Sequence, residues 1–293
     1  MIQIGLGPAA VKLNLELWQR GFFKNIKSVV DMGSQELHLK LADFEGLVHV
    51  AGVPNYKRKN FAGLAHWPVG SRCSSKPFYQ MLGAESYSCV DLGERHGAIP
   101  LDLNMPLEDH SLYGQYDLVT DYGTNEHVFN IAEAYRTMHR LCKQQGIMMI
   151  QQVVYNGNGY YAFDPSFFEG IAAANNYKIL FSSYIIVGKT PTSAGSSNQF
   201  HVPLSRELLD IVDWTKVQEI GICYVMQKQS ESDFRYPYQD DLLARAQGIY
   251  AYQLQFLPEP PSRTYLPLVE PWVPLYARLA RDLATRLFWR LTR

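Results

Sequence analysis

Apolar residues along this chain recur in two distinct periods. Within residues 125–143, Val128, Ile131, Tyr135, Met138 and Cys142 fall three and four apart, the spacing of one helix face. Residues 8–20 carry Val11, Leu13, Leu15 and Trp18 behind Pro8, a residue suited to a first helical turn. Elsewhere the apolar residues form short runs, at 26–31, 86–91, 98–103, 116–121, 147–154, 177–187 and 219–228. Such runs predict strands, with the one at 147–154 at a buried parallel centre. Further helices are predicted at 34–43, 77–82 and 166–176, the last behind Asp164-Pro165 as a capping pair. Strand and helix alternate and two strands close the order, so the fold class is α/β with a mostly parallel sheet.

Two stretches break the rhythm. Residues 45–74 hold several Gly and Pro and the basic run Lys57-Arg58-Lys59, and read as a lid-like insertion. Residues 190–198 are a polar loop of Ser, Thr and Gly. Beyond 230 the chain turns aromatic, then proline-rich over 257–274. It closes on an amphipathic helix at 273–293, with Leu275, Leu279, Leu283 and Leu287 four apart beside several arginines. The organisation read here is a main domain at 1–230 and an extension at 231–293. A basic amphipathic helix can dock on its own domain, on a membrane or on a sister chain; a homodimer through this helix is one expectation.

Composition narrows the function. A net charge of −1 leaves no overall field to attract nucleic acid. No apolar run reaches the ~20 residues a membrane helix needs. The opening residues do not read as a secretory leader, and the four cysteines form no Cys-x-x-Cys pair. A soluble, cytoplasmic protein is expected. The 19 tyrosines could line a pocket or simply pack the core. Gly5-Leu6-Gly7 is not read as a dinucleotide turn, because too few residues precede it to form the strand such a turn needs. No metal-ligand spacing, P-loop or nucleophile elbow occurs.

The candidate chemistry lies at the strand ends. Four strand-like runs end at or near an acid: Asp31, Asp91, Asp102 and Asp121. In an open α/β sheet these ends would line one ligand crevice. Asp31-Met32-Gly33-Ser34-Gln35-Glu36-Leu37 resembles the first motif of class I S-adenosylmethionine-dependent methyltransferases, an acid followed by Gly-x-Gly-x-Gly. Only the acid and first glycine are kept, with Gln35 and Leu37 at the other two positions. Asp91 stands where that family places an acid on the ribose hydroxyls. Leu101-Asp102-Leu103-Asn104 matches the adenine position, and Gly114 to Thr124 resembles the fourth motif. Asp121-Tyr122-Gly123-Thr124-Asn125-Glu126-His127-Val128-Phe129-Asn130 is similar to a subgroup carrying Gly-Thr-x-Glu-His-Val-Phe-Asn.

The resemblance implies a Rossmann-like seven-stranded sheet, mostly parallel with the last strand antiparallel, and helices on both faces. It implies S-adenosyl-L-methionine as cofactor, with Asp31, Gly33, Ser34, Gln35, Asp91, Asp102, Leu103 and Asp121 around it. The reaction implied is O- or N-methylation of a small-molecule or peptide-like acceptor. His127 and Glu126 follow the fourth strand and are the candidate catalytic pair, His127 being the better base near neutral pH. The alternative reading of that pair is local: an acid favouring a helix start and a histidine bonding nearby. His66, Tyr160 and Tyr161 are candidate acceptor contacts. Two other functions stay open: an NAD-dependent oxidoreductase or epimerase, for which Asp91 would also suit, and a degenerate methyltransferase fold acting as a binding partner.

Overall fold

In the computed structural model, residues 5–67, 73–189, 199–205, 209 and 212–238 are described. The chain enters through α1 (Pro8–Gln19). Next come β1 (Ser28–Met32), the two-residue β2 (Glu36–Leu37) and α2 (Leu41–Ala51). A 3-10 segment, Arg58–His66, leads to β3 (Cys73–Ser74) and α3 (Lys76–Met81). β4 (Ser86–Asp91), β5 (Ile99–Pro100) and β6 (Tyr116–Tyr122) follow. Then come α4 (Ile131–Leu141), β7 (Cys142–Tyr155), α5 (Pro165–Ala174) and β8 (Tyr177–Gly188). β9 (Gln199–Val202) and β10 (Val217–Lys228) complete the order.

Eight strands form one sheet in the order β5-β4-β1-β6-β7-β10-β8-β9. β5, β4, β1, β6 and β7 run parallel. β10 enters antiparallel between β7 and β8. The expected seven strands are present, and β9 is added antiparallel along the edge of β8. Side-chain alternation on β1 divides the interior. Val29 faces a core built with α1, α2 and α3, while Val30 and Met32 face one built with α4 and α5. Helices therefore cover both faces.

Three expectations change. The glycine turn after β1 does not open a helix at 34–43. Leu37 is fully buried, and its segment pairs with Leu6 on one side and with Cys73 on the other. Those partners keep the backbone extended, and the helix starts only at Leu41. The described part of the insertion at 45–74 holds the end of α2 and the Arg58–His66 segment, where Phe61 meets Phe44 in a tilted pair with centroids 4.6 Å apart and Leu64 is buried. The helix expected at 125–143 is split into a 3-10 turn, Asn125–His127, and α4. The Asp121 carboxylate accepts the Thr124 and Asn125 N–H groups at 2.9 and 3.2 Å, and so forms the turn.

Residues just past 230 bond to α4 and to the end of α5. His139 Nε2 donates to the Ser232 carbonyl at 2.7 Å, and the Arg235 N–H donates to Asn175 Oδ1 at 2.7 Å. The loop at 190–198, the proline-rich stretch and the helix expected at 273–293, with its homodimer surface, lie outside the described residues.

Candidate functional site

The strand order reverses between β1 and β6. The carboxyl ends of these two strands, with β4 and β5 beside them, form the crevice where open α/β sheets take ligands. Met32 and Gly33 stand on one side of it, Asp121 and Thr124 on the other. The Gly33 N–H donates to the Val90 carbonyl at 2.7 Å, and Gly33 has φ +79°. A Cβ there would meet Thr124 Oγ1 at 2.4 Å, so both backbone conformation and space demand glycine.

Asp91 ends β4, half-buried. Its Oδ2 accepts the Ser34 N–H at 2.8 Å, and its Oδ1 takes only a long 3.3 Å contact from the Gly93 N–H. Leu92 beside it is 72% exposed, an apolar shelf at the crevice mouth. Ser34 Oγ donates to the Arg95 carbonyl at 2.9 Å, and His96 Nε2 lies 3.0 Å from Glu36 Oε1. The loops after β1 and β4 are thus stitched together. Asp102 accepts the backbone N–H and the side-chain amide of Asn104, both at 2.9 Å, and the backbone bond leads in holding its carboxyl below the usual range. Leu103 is buried behind it.

Asp31 and Asp121 sit lower. Asp31 is fully buried and accepts the hydroxyls of Ser75, Thr120 and Tyr87, the last at 2.8 Å. Burial raises its carboxyl to about 6 against these bonds. Three donors leave it no direct access to the crevice; it ties β1 to β4, to β6 and to the start of α3 instead. Asp121 is also fully buried, and besides its turn it accepts the Gln152 side-chain amide. Burial raises it to about 7.

Glu126 and His127 are brought together but are unlike. Glu126 is enclosed, with Oε2 accepting the Val153 N–H at 3.0 Å. Its Oε1 has no hydrogen-bond donor and lies 3.6 Å from His127 Nε2. Burial, then neighbouring Asp121 and Glu219, raise Glu126 to about 8, so it is protonated at neutral pH. His127 is 46% exposed, and partial burial lowers its pKa, which keeps it neutral there. Of this pair, only His127 is exposed to solvent.

Aromatic side chains rim this position. Phe129 and Tyr160 are 73% and 69% exposed and meet edge to face, centroids 5.7 Å apart. The backbone pins them: the Tyr160 N–H donates to the Glu126 carbonyl at 2.7 Å, and Tyr161 OH donates to the Phe129 carbonyl at 2.6 Å. Phe129 was not singled out from sequence, although it follows His127 closely and its exposure is unusual for so large an apolar group. His66 ends the Arg58–His66 segment, exposed, and none of its described contacts brings it to His127. Among the described residues no cluster of His, Cys, Asp and Glu is placed to hold a metal ion, and no helix is long and apolar enough to cross a membrane.

No protein-family model and no curated protein matches this chain. Among solved structures it is similar to the Burkholderia thailandensis 1,6-didemethyltoxoflavin-N1-methyltransferase with bound 1,6-didemethyltoxoflavin and S-adenosylhomocysteine. The identity is 9% over 75% of this chain and 79% of that one, at a TM-score of 0.33. A SAM-dependent methyltransferase from Archaeoglobus fulgidus aligns at 11% identity over 74% and 93% of the two chains, TM-score 0.38. A structure described as converting a disulfide bond into a thioacetal group during echinomycin biosynthesis aligns at 16% identity over 82% and 87%, TM-score 0.37. At such identities and scores no residue role is carried across from them.

Proposed function

We propose that the protein transfers a methyl group from S-adenosyl-L-methionine to a small-molecule or peptide-like acceptor. The observation that carries this reading is the sheet itself, β5-β4-β1-β6-β7-β10-β8, with β10 wedged antiparallel beside β7. A nicotinamide-binding doubly wound sheet continues in parallel beyond that point, so the oxidoreductase reading is disfavoured.

The nucleoside half of the cofactor fits the residues present. Asp91 has an oxygen with only a 3.3 Å contact, open to ribose hydroxyls; a carboxylate accepts from two hydroxyls at once. Exposed Leu92 offers a face to a planar ring, and Asp102 and Leu103 close the far side. When bound, the cofactor supplies an activated methyl on a sulfonium. The chain's own residues then align the acceptor, exclude water and take its proton. His127 holds that last role, neutral and half-exposed at the β6 end. Glu126, protonated and enclosed, is not a second base at neutral pH; it ties the turn from which His127 projects to Val153 of β7. Phe129, Tyr160 and Tyr161 flank the acceptor.

Heat stabilisation of the purified protein by S-adenosylhomocysteine, with none by NAD, is the expected result. Stabilisation by NAD alone would reverse the assignment. A second reading has one observation in its favour: the loop after β1 has lost two of the motif's glycines, as a non-catalytic binding fold would tolerate. Methyl transfer to any acceptor would exclude it.

A further inference from the structure

The crevice between β1 and β6 is bridged by the protein's own side chains. Gln35, only 6% exposed, donates from Nε2 to the Met32 carbonyl at 2.9 Å and to Thr124 Oγ1 at 2.7 Å. Thr124 Oγ1 in turn donates to the same carbonyl at 2.6 Å. The amide orientation follows from chemistry, because a carbonyl only accepts and so must face the NH₂ group. Both lone pairs of the Met32 oxygen are therefore taken from within. This triangle spans the place where strand order reverses, which is where a ligand of this fold must enter.

We propose that Gln35 is an internal plug of the crevice, competing with the tail of the bound cofactor for the Met32 carbonyl and Thr124. The proposal rests on the cofactor reading above. A cofactor tail carrying an ammonium is a stronger donor to a carbonyl than a neutral amide is, so the plug is displaceable. It nevertheless lowers apparent affinity by the fraction of molecules in which the crevice is open. In the reading above the nucleoside end would be held at Asp91, which shares no hydrogen bond with Gln35. Gln35 stands at a position where the resembled motif has glycine, which has no side chain to fill this space.

Calorimetry with two probes tests this, using wild-type protein, Gln35→Ala and Gln35→Ser. The serine variant serves should the alanine variant fold poorly, and melting curves establish folding. S-Adenosylhomocysteine should bind both variants about tenfold more tightly than wild type, while adenosine, which lacks the tail, binds all three alike. Unchanged or weakened S-adenosylhomocysteine binding in folded variants, with adenosine still bound, overturns the plug and leaves the cofactor reading standing. Binding of neither probe to any of the three overturns both.

Discussion

His127 and Asp91 are the residues on which the proposed chemistry is most exposed to test. His127→Ala should slow turnover by about 10²–10⁴, the usual span for loss of a general base. Melting temperature and cofactor affinity should stay nearly fixed, because the ring is half-exposed and makes no described hydrogen bond that holds the fold. Turnover of the wild type should fall on acidification, through a pKa lowered from its usual 6.5 by partial burial, and a pH–rate profile reads this directly. Asp91→Ala should weaken S-adenosylhomocysteine binding by ~1.5–3 kcal/mol, the range for hydrogen bonds to a charged group. Calorimetry checks it, and unchanged affinity would remove Asp91 from the site. The acids at the strand ends were legible because each follows a short strand-like run. Their division into two kinds was not. Asp31 and Asp91 look alike in sequence, but Ser75, Thr120 and Tyr87 enclose the first and leave the second at the mouth. Those hydroxyls arrive from other strands and loops with no period to announce them.

At the scale of elements, the long runs were read closely: β4 is Ser86–Asp91, the run expected at 86–91, and β6 extends its run by one residue. Where non-local pairing decides, the reading failed. The backbone after Gly33 stays extended because Leu6 and Cys73 pair with it, and β9, Gln199–Val202, alternates polar and apolar residues over only four positions, too few to announce a strand. The end of β10 shows how an element is tied down. The Lys228 ammonium, 6% exposed, donates to the His139 carbonyl at 2.8 Å and to the Cys142 carbonyl at 2.9 Å, joining β10 to the α4–β7 junction. Next to it, neutral His139 donates from Nε2 to Ser232 and accepts from Tyr177 OH at Nδ1, 2.6 Å away; burial lowers its pKa to about 4. Lys228→Met should keep the stem packed and strand two carbonyls, lowering stability by about 2–4 kcal/mol in denaturant titration. A change within error would make the ammonium incidental to the junction.

The whole molecule stores protons. Asp121, Glu126 and Glu219 are raised by burial to about 7, 8 and 7. Unfolded, they would titrate near 3.8, 4.5 and 4.5, so the folded chain holds protons that the unfolded chain has released. Stability from this source is complete below the unfolded values and is lost as pH rises through 7–8. The melting temperature should therefore fall by about 5 °C or more between pH 5.5 and 8.5, and Glu126→Gln with Glu219→Gln should flatten that slope. A melting temperature that rises over this range would contradict the assignment. The position of β10 has a different consequence, in time rather than in space. β7 is synthesised at residues 142–155 and its neighbour β10 only at 217–228. While the intervening chain leaves the ribosome, β7 and β8 each present a bare apolar edge to the crowded cell, and β9 can shield only the far side of β8. The last of the described strands is the keystone between them, so a nascent chain stalled before Val217 holds two open templates for the strands of other chains. Late translation, rather than any weakness of the finished sheet, is the interval in which this molecule is most in need of a chaperone.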